Sequence, residues 1–200
     1  MNICIFGDSI VWGACDYEKG GWVEHLKSYL MKHKEDVDVY NLGVSGNNSQ
    51  DLLKRFDAEL NARKSETADM IIIAIGINDS QYIKTRENPR VSLKEYEGNM
   101  TLLLEKAQKI TNRVVVVGLT RVDESKVMPI PWDSTKYYDN AVIQKYDDVL
   151  KTVCQNEEVP FVSMSNVLIN INLEDGLHPN PNGHEKMYKR IFEEIKPLLD

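Results

Sequence analysis

The sequence predicts a three-layer α/β domain, in which helices cover both faces of a five-stranded parallel sheet. Short apolar runs rich in β-branched residues alternate with longer segments of helical periodicity, which is the pattern of repeated βαβ units. The most apolar run, residues 70–75, shows no polar alternation, as expected of a central strand buried on both faces. Because no repeat or Pro/Ser-rich linker divides the chain, we expect a single domain over residues 1–200.

The elements follow in strict alternation. Strands are predicted at residues 2–6, 36–41, 70–75, 114–117 and 160–163, and helices at residues 22–33, 49–62, 93–110, 139–155 and 181–199. The first two helices place apolar residues three and four positions apart, which forms one stripe facing the sheet. Asn180 and Pro181 have the residue types of a helix N-cap and a first helical position, so the last helix should begin there.

Composition disfavours several classes of protein. The 24 Lys and Arg against 31 Asp and Glu give a formal net charge of −7, whereas nucleic acids and anionic membranes require a clustered basic face. The same charge weakly disfavours anionic substrates. No apolar run approaches the roughly 18 residues of a membrane helix, and no secretory signal is recognised. Cys4, Cys15 and Cys154 form no CxxC pair, so we expect buried, reduced thiols in a cytoplasmic protein.

The polar turns after the strands contain the residue types that acyl transfer needs. Ligands of parallel sheets bind beyond the carboxyl ends of the strands, and these turns lie there. Ser9 is the candidate nucleophile, and its backbone N–H is a candidate oxyanion donor. His178 is the candidate base, and Asp175, three residues earlier, can accept a hydrogen bond from its Nδ1. Gly46 offers a second backbone N–H and Asn78 a neutral side-chain donor.

Four blocks in these turns resemble those of the SGNH hydrolases, also called GDSL-type lipases and esterases. The blocks are GDSI at residues 7–10, the glycine Gly46 in NLGVSGNN, GIND at residues 76–79 and DGLH at residues 175–178. The resemblance spans nearly the whole chain and implies a flavodoxin-like sheet with Ser9, Asp175 and His178 as the catalytic triad. It also implies that the three donors named above form the oxyanion hole. Ile10 replaces the leucine of the motif, which is an apolar exchange.

Several of these residues also have a purely structural interpretation. Ser9 could be an ordinary helix cap, and we interpret Asp8 as a cap or hydrogen-bond brace of the same turn. Gly43 is interpreted as a turn glycine and Asp79 as a brace of its loop. The remaining histidines are interpreted as packing or surface residues: His25, His33 and His184. Because no metal-ligand spacing, GxGxxG motif or Walker motif is found, we expect neither a metal nor a cofactor.

The segment 122–138 contains several large apolar residues among charged ones. One interpretation is a wall or lid of the substrate pocket, in which Met128 and Trp132 contact the substrate together with Trp12, just after the nucleophile. The other is a loop that packs on its own domain or on a second subunit. No oligomeric state is predicted.

The sequence therefore predicts a serine esterase that hydrolyses small, short-acyl esters through a covalent acyl-enzyme. One alternative is a carbohydrate O-deacetylase with the same machinery. Another, from a different class, is a phosphoacceptor receiver or a flavin-binding module on a flavodoxin-like fold. The receiver is disfavoured because the fifth strand leads to Ser163, Met164 and Ser165 instead of a lysine, and only Asp8 follows the first strand.

Overall fold

The computed structural model describes residues 1–62 and 68–199. The strands of this part are, in chain order, β1 (Asn2–Gly7), β2 (Asp38–Gly43), β3 (Met70–Ala74), β4 (Tyr82–Ile83), β5 (Val114–Val117), β6 (Lys136–Tyr137) and β7 (Phe161–Val162). Five of them form one sheet in the order β2-β1-β3-β5-β7, in which every neighbouring pair is parallel. β4 and β6 form a separate antiparallel pair.

Helices lie on both faces of the sheet. They are α1 (Ser9–Trp12), α2 (Trp22–His33), α3 (Ser49–Asn61), α4 (Ile77–Ser80), α5 (Leu93–Gln108), α6 (Glu124–Val127), α7 (Asn140–Asn156) and α8 (Pro181–Ile195). α2 and α8 pack together on one face, and α3, α5 and α7 pack side by side on the other. The predicted α/β class with a five-stranded parallel sheet is thus confirmed.

The centre of the sheet carries the hydrophobic core. All four residues of β5, Val114–Val117, are buried, as are the first four of β3. Burying a Val or Ile side chain contributes about 1.5–3 kcal/mol relative to leaving it exposed, so these strands supply much of the stabilisation. The sheet is consequently a rigid support for the turns at its carboxyl edge.

Several predicted boundaries differ from the structure, mostly by one or two residues, and two of the differences have a clear physical reason. β2 was expected at residues 36–41 but begins at Asp38, because Asp36 has a left-handed φ of 54° and the strand pairs with β1 from Asn2 opposite Asp38 onward. The last helix was expected to reach residue 199 but ends at Ile195. Pro197 has no N–H to continue the helical hydrogen bonds, and a 3-10 turn follows.

The short elements at the carboxyl edge were not predicted. α1, α4 and α6 are four residues long, and β4 and β6 are two residues long. Segments of this length are too short to show a hydrophobic periodicity, so the sequence pattern could not predict their secondary structure. They nevertheless shape the surroundings of the catalytic turns.

The three cysteines are free thiols, and their burial differs. Cys4 and Cys154 are buried as expected, and burial raises the pKa of the Cys154 thiol to about 12. Cys15 is partly exposed, contrary to the prediction, because it lies in the loop after α1 with a left-handed φ of 68°. None of the helices in the described ranges has both the length and the apolar character required to cross a bilayer.

Candidate active site

The turns after β1, β2 and β3 surround one cavity at the carboxyl edge of the sheet. They contribute Ser9, Gly46 and Asn78, and the loop before α8 contributes His178. The cavity has a volume of about 500 Å³. Its other lining residues are Ser45, Gln81, Arg90, Ile130, Trp132, Lys136, Tyr138 and Leu177.

A chain of hydrogen bonds joins the three residues of the predicted triad. Ser9 Oγ lies 2.9 Å from His178 Nε2, and His178 Nδ1 lies 2.7 Å from Asp175 Oδ2. An ionised carboxylate can only accept, so Nδ1 carries a proton and Nε2 is left to accept from the serine hydroxyl. This arrangement allows His178 to remove the Ser9 proton during nucleophilic attack.

Asp175 is fixed as an anion. Its Oδ1 accepts hydrogen bonds from the backbone N–H groups of Leu177, at 2.9 Å, and His178, at 2.8 Å. Burial raises the pKa of the Asp175 carboxyl, but the hydrogen bonds from the ring and backbone of His178 outweigh it and lower the pKa to about 2. The carboxylate therefore orients the imidazole and stabilises its protonated form.

Ser9, the candidate nucleophile, lies at the first position of α1, which leaves its backbone N–H without an intrahelical acceptor. The cap of this helix is Asp8, whose Oδ1 accepts from the Ile10 N–H at 2.9 Å. Ser9 is therefore not the N-cap. Burial raises the pKa of Asp8 to about 6, and the Ile10 hydrogen bond opposes that rise.

The Gly46 turn presents a second backbone donor. Gly46 has a left-handed φ of 80°, and a Cβ added there would meet open space, so the peptide faces the cavity unobstructed. Its carbonyl oxygen accepts from Arg90 Nη2 at 3.1 Å. Within residues 1–62 and 68–199, its N–H donates to no backbone acceptor. The N–H is consequently available to an oxyanion.

The amide of Asn78 is oriented by two neighbours. Its Oδ1 accepts from the hydroxyl of Tyr138 at 2.7 Å, and its Nδ2 donates to the carbonyl of Asn47 at 2.9 Å. One Nδ2 hydrogen remains for the cavity. The GIND turn also depends on Gly76, where φ is 136° and a Cβ would lie 2.2 Å from the Tyr96 hydroxyl.

Asp79 braces this turn from behind. Its carboxylate accepts from both the backbone N–H and the hydroxyl of Ser49, which links the GIND turn to the start of α3. Burial raises the pKa of Asp79 to about 6, and the Ser49 hydrogen bonds oppose that rise. Asp79 does not line the cavity.

The structure separates the three residues proposed for substrate contact. Trp132 lines the catalytic cavity, and its ring stacks near that of His178 with a centroid distance of 6.3 Å. Trp12 lines a different groove, because its backbone packs against Gly43 at the end of β2. Met128 does not line the cavity either: its side chain is exposed, and Ile130 two residues later lines the cavity instead. The shared pocket expected for Trp12 and Met128 is thus not formed.

The segment 122–138 packs on its own chain. Tyr137 of β6 pairs with Tyr82 of β4 and stacks on it at 5.3 Å, and the Tyr138 N–H donates to the Val127 carbonyl at 3.1 Å. The segment therefore forms one wall of the catalytic cavity. Tyr138 and Arg90, which hydrogen-bond to Asn78 and Gly46, were not singled out by the sequence because no motif contains them.

The other histidines lie away from the hydrogen-bond chain. His184 is fully buried, accepts from the Trp22 N–H at 3.2 Å and contacts the Ala14 carbonyl at 2.9 Å. Burial lowers its pKa. His25 contacts Asp16 at 3.3 Å, and His33 is exposed. None of these three histidines contacts Ser9, Asp175 or His178 in the hydrogen bonds described above, in agreement with their interpretation as packing or surface residues.

Among the described residues, one group has several possible metal ligands close together. Cys15, Asp175 and His178 offer ligand atoms within 4.8 Å of one another. Two of these residues already belong to the Ser9–His178–Asp175 chain. A cation bound there would engage the base and its partner, so the group is better suited to inhibition than to catalysis.

Comparison with known proteins identifies the family. The model of the GDSL-like lipase/acylhydrolase family matches residues 5–186. The chain belongs to this family. It is accordingly a carboxylic ester hydrolase, and the alternative of a receiver or flavin-binding module is wrong.

The relatives include several esterases. The human isoamyl acetate-hydrolyzing esterase 1 homolog is 24% identical over 100% of this chain and 81% of its own length. The acetylxylan esterase of Geobacillus stearothermophilus is 24% identical over 80% of this chain and 72% of its own. The lipase/acylhydrolase of Enterococcus faecalis has a solved structure that matches with a TM-score of 0.77 at 20% identity, covering 98% and 95% of the two chains. The structural match to the Enterococcus faecalis protein supports the α/β fold of this chain.

Proposed function

We propose that the protein is a serine esterase that hydrolyses short-acyl esters through a covalent acyl-enzyme. The observation that carries the proposal is the hydrogen-bond chain from Ser9 through His178 to Asp175, which opens onto the cavity containing Gly46 and Asn78. A nucleophile, an oriented base and convergent donors in one cleft are the groups that acyl transfer needs.

In the first half-reaction, Ser9 Oγ attacks the ester carbonyl as His178 Nε2 takes the hydroxyl proton. The oxyanion accepts hydrogen bonds from the Ser9 and Gly46 N–H groups and from Asn78 Nδ2. His178 then gives its proton to the leaving alcohol, which yields the acyl-enzyme. In the second half-reaction, water attacks the acyl carbon, His178 takes the proton of that water, and Ser9 leaves with the proton returned.

The acyl group is proposed to be short. The apolar lining of the cavity consists of Ile130, Trp132 and Leu177, while the other lining residues are polar or glycine. A long acyl chain would require a continuous apolar channel, because about 0.8 kcal/mol is gained for each CH₂ group that is buried.

The cytoplasmic location predicted from the sequence remains a prediction.

A carbohydrate O-deacetylase is the second candidate. Trp132 is 57% exposed at the cavity and could stack on a sugar ring, and one relative is named an acetylxylan esterase. Hydrolysis rates on esters of two to ten acyl carbons should be compared with those on acetylated xylose and glucose. A higher kcat/KM for the acetylated sugars supports the deacetylase, and a preference for acyl groups of eight or more carbons excludes it.

The covalent mechanism makes the first prediction. Mixing the protein with 4-nitrophenyl acetate should release a burst of 4-nitrophenol equal to the concentration of active sites, and Ser9→Ala should show no burst. The expected steady-state loss is on the order of a million-fold in kcat, as for nucleophile removal in other serine hydrolases. Lys94→Gln, a substitution on the exposed side of α5, is purified and assayed in the same way and should show the wild-type burst. Equal rates for wild type and Ser9→Ala would refute the assignment.

A further inference from the structure

The charges that line the catalytic cavity differ from those of the whole chain. Acidic residues outnumber basic ones by 31 to 24. Nevertheless, the described residues that line the cavity include Arg90 and Lys136 and no Asp or Glu. The groove beside Trp12 has the opposite character, since it is lined by Asp16 and Glu24 and by no Lys or Arg of the described chain. The catalytic cavity and this groove therefore differ in the sign of the charges that line them.

Arg90 is the better placed of the two cations. Its guanidinium donates to two neutral acceptors, the Gly46 carbonyl at 3.1 Å and Gln81 Oε1 at 3.5 Å. None of the ion pairs among the described residues includes it. It does lie within electrostatic range of the buried Asp79, because it opposes the rise that burial causes in the pKa of that carboxyl. A guanidinium has five N–H donors in one plane, so donors remain after these two contacts. The two neutral contacts orient the group and leave its charge without a contacting anion.

Lys136 contributes less positive charge to the cavity. Its Nζ lies 3.0 Å from Asp133 Oδ2, which neutralises part of its charge. Asp133 in turn accepts from the N–H and hydroxyl of Thr135, at 3.0 and 2.7 Å. The ion pair therefore has a fixed place at the wall of the cavity, and Arg90 remains the main cation there.

We propose that the substrate is an ester that carries an anionic group, a carboxylate or a phosphate, and that Arg90 binds this group. The inference rests on the proposed esterase function and names its substrate class. A planar guanidinium pairs with carboxylate and phosphate oxygens through two parallel hydrogen bonds. A cleft lined by one sign of charge also raises the local concentration of ligands of opposite charge. The overall charge of −7 is thus no guide to the charge of the substrate.

The test uses two pairs of esters that differ in one negative charge. Mono-4-nitrophenyl fumarate and methyl 4-nitrophenyl fumarate place the difference in the acyl group, and the trans double bond keeps the free carboxylate from attacking its own ester. 4-Acetoxybenzoate and its methyl ester place it in the alcohol. Each enzymatic kcat/KM is divided by the rate of spontaneous hydrolysis, so that intrinsic reactivity cancels. The ratio of charged to neutral ester then measures recognition, and the two pairs show which side of the ester Arg90 contacts.

In at least one pair, the charged ester should be preferred by about 10- to 100-fold, the range of a charge-assisted pair of hydrogen bonds. Arg90→Gln should bring this ratio close to one, and Arg90→Lys should retain part of it. Lys94→Gln, which removes one positive charge from the exposed face of α5, should keep the wild-type ratio. On the wild type alone, 0.5 M NaCl should lower the ratio, because salt screens the attraction.

Two results would overturn the inference. One is a wild type that prefers the neutral member of both pairs or shows no preference. The other is an Arg90→Gln variant that loses activity on both members by the same factor, which would show that Arg90 only supports the Gly46 peptide. The Ser9→Ala burst experiment with 4-nitrophenyl acetate separates this failure from failure of the esterase proposal, since that ester carries no charge.

Discussion

At the scale of single residues, the orientation of the Asn78 amide determines whether the proposed oxyanion hole is complete. Asn78 can present Nδ2 to the cavity only while its Oδ1 points to the Tyr138 hydroxyl. With the amide rotated by 180°, an oxygen would face the developing negative charge and repel it. Tyr138 is thus proposed as a positioning residue that selects the productive orientation of Asn78.

A double-mutant cycle tests this role. Asn78→Ala should lower kcat about 100- to 1000-fold, which is the effect of losing one oxyanion donor. Tyr138→Phe removes one hydrogen bond, worth about 1 kcal/mol, and should lower kcat several-fold while KM changes little. In the Asn78→Ala background, Tyr138→Phe should have no further effect on kcat. Additive losses would show that Tyr138 acts independently of Asn78.

The sequence could identify residues in its motifs but not their supporting contacts. Ser9, Asp175 and His178 were expected from turns that follow predicted strands, and the structure brings them into one hydrogen-bond chain. Tyr138 is 60 positions from Asn78, and Arg90 is 44 positions from Gly46. Such contacts depend on how long loops fold over the sheet edge, and periodicity contains no information about them.

At the scale of elements, the start of α8 anchors the loop that carries His178, the proposed base. Asn180 Oδ1 accepts from the Gly183 N–H at 3.0 Å, and its Nδ2 donates to the Ile171 carbonyl at 2.8 Å. This cap lies two residues after His178. It therefore fixes the first turn of α8 and the preceding loop together. The residue types of Asn180 and Pro181 had predicted that the helix begins there.

Removing the cap should affect both stability and activity. Asn180→Ala is expected to cost about 1 kcal/mol, which lowers Tm by about 2–4 °C in a chain of this size. The kcat should fall as well, because the loop bearing His178 loses its anchor. Thr111→Ala is the matched control, since Thr111 Oγ1 donates to the Asp69 carbonyl at 2.7 Å and accepts from the Arg113 N–H at 3.1 Å in the loop before β5, at the opposite edge of the sheet. It should lower Tm similarly and leave kcat unchanged. A similar kcat for both variants would contradict the coupling.

At the scale of the whole molecule, buried carboxyls make stability depend on pH. The pKa of Asp8 rises from 3.8 to about 6, mainly through burial. The folded protein therefore binds this proton more tightly than the unfolded chain does, and the free energy of unfolding falls as pH rises from about 4 to about 6. Asp79 acts in the same direction, since its pKa is also about 6.

Asp8→Asn should remove the contribution of that group. The Tm of the variant minus the Tm of the wild type should increase as pH rises from 4.5 to 7, because only the wild type has to ionise a buried Asp8 carboxyl. Each kcal/mol of that ionisation cost corresponds to a few degrees in Tm. Differential scanning calorimetry at pH 4.5, 5.5 and 7 measures this trend. Glu193→Gln, which removes a charge from the exposed face of α8, should show no such trend. A constant difference across the range would contradict the assignment.

The 169 positions between the two ends of the Ser9–His178 hydrogen bond also affect biosynthesis. The ribosome makes the candidate nucleophile when β1 is the only strand of the sheet that has been translated, and the candidate base only after all five strands. Any nascent chain or truncated fragment that ends before residue 178 has a serine without a general base. If Ser9 and His178 act as proposed, termination products that lack His178 cannot cleave esters by this mechanism, and hydrolytic activity arises only after the last strand of the sheet has been made.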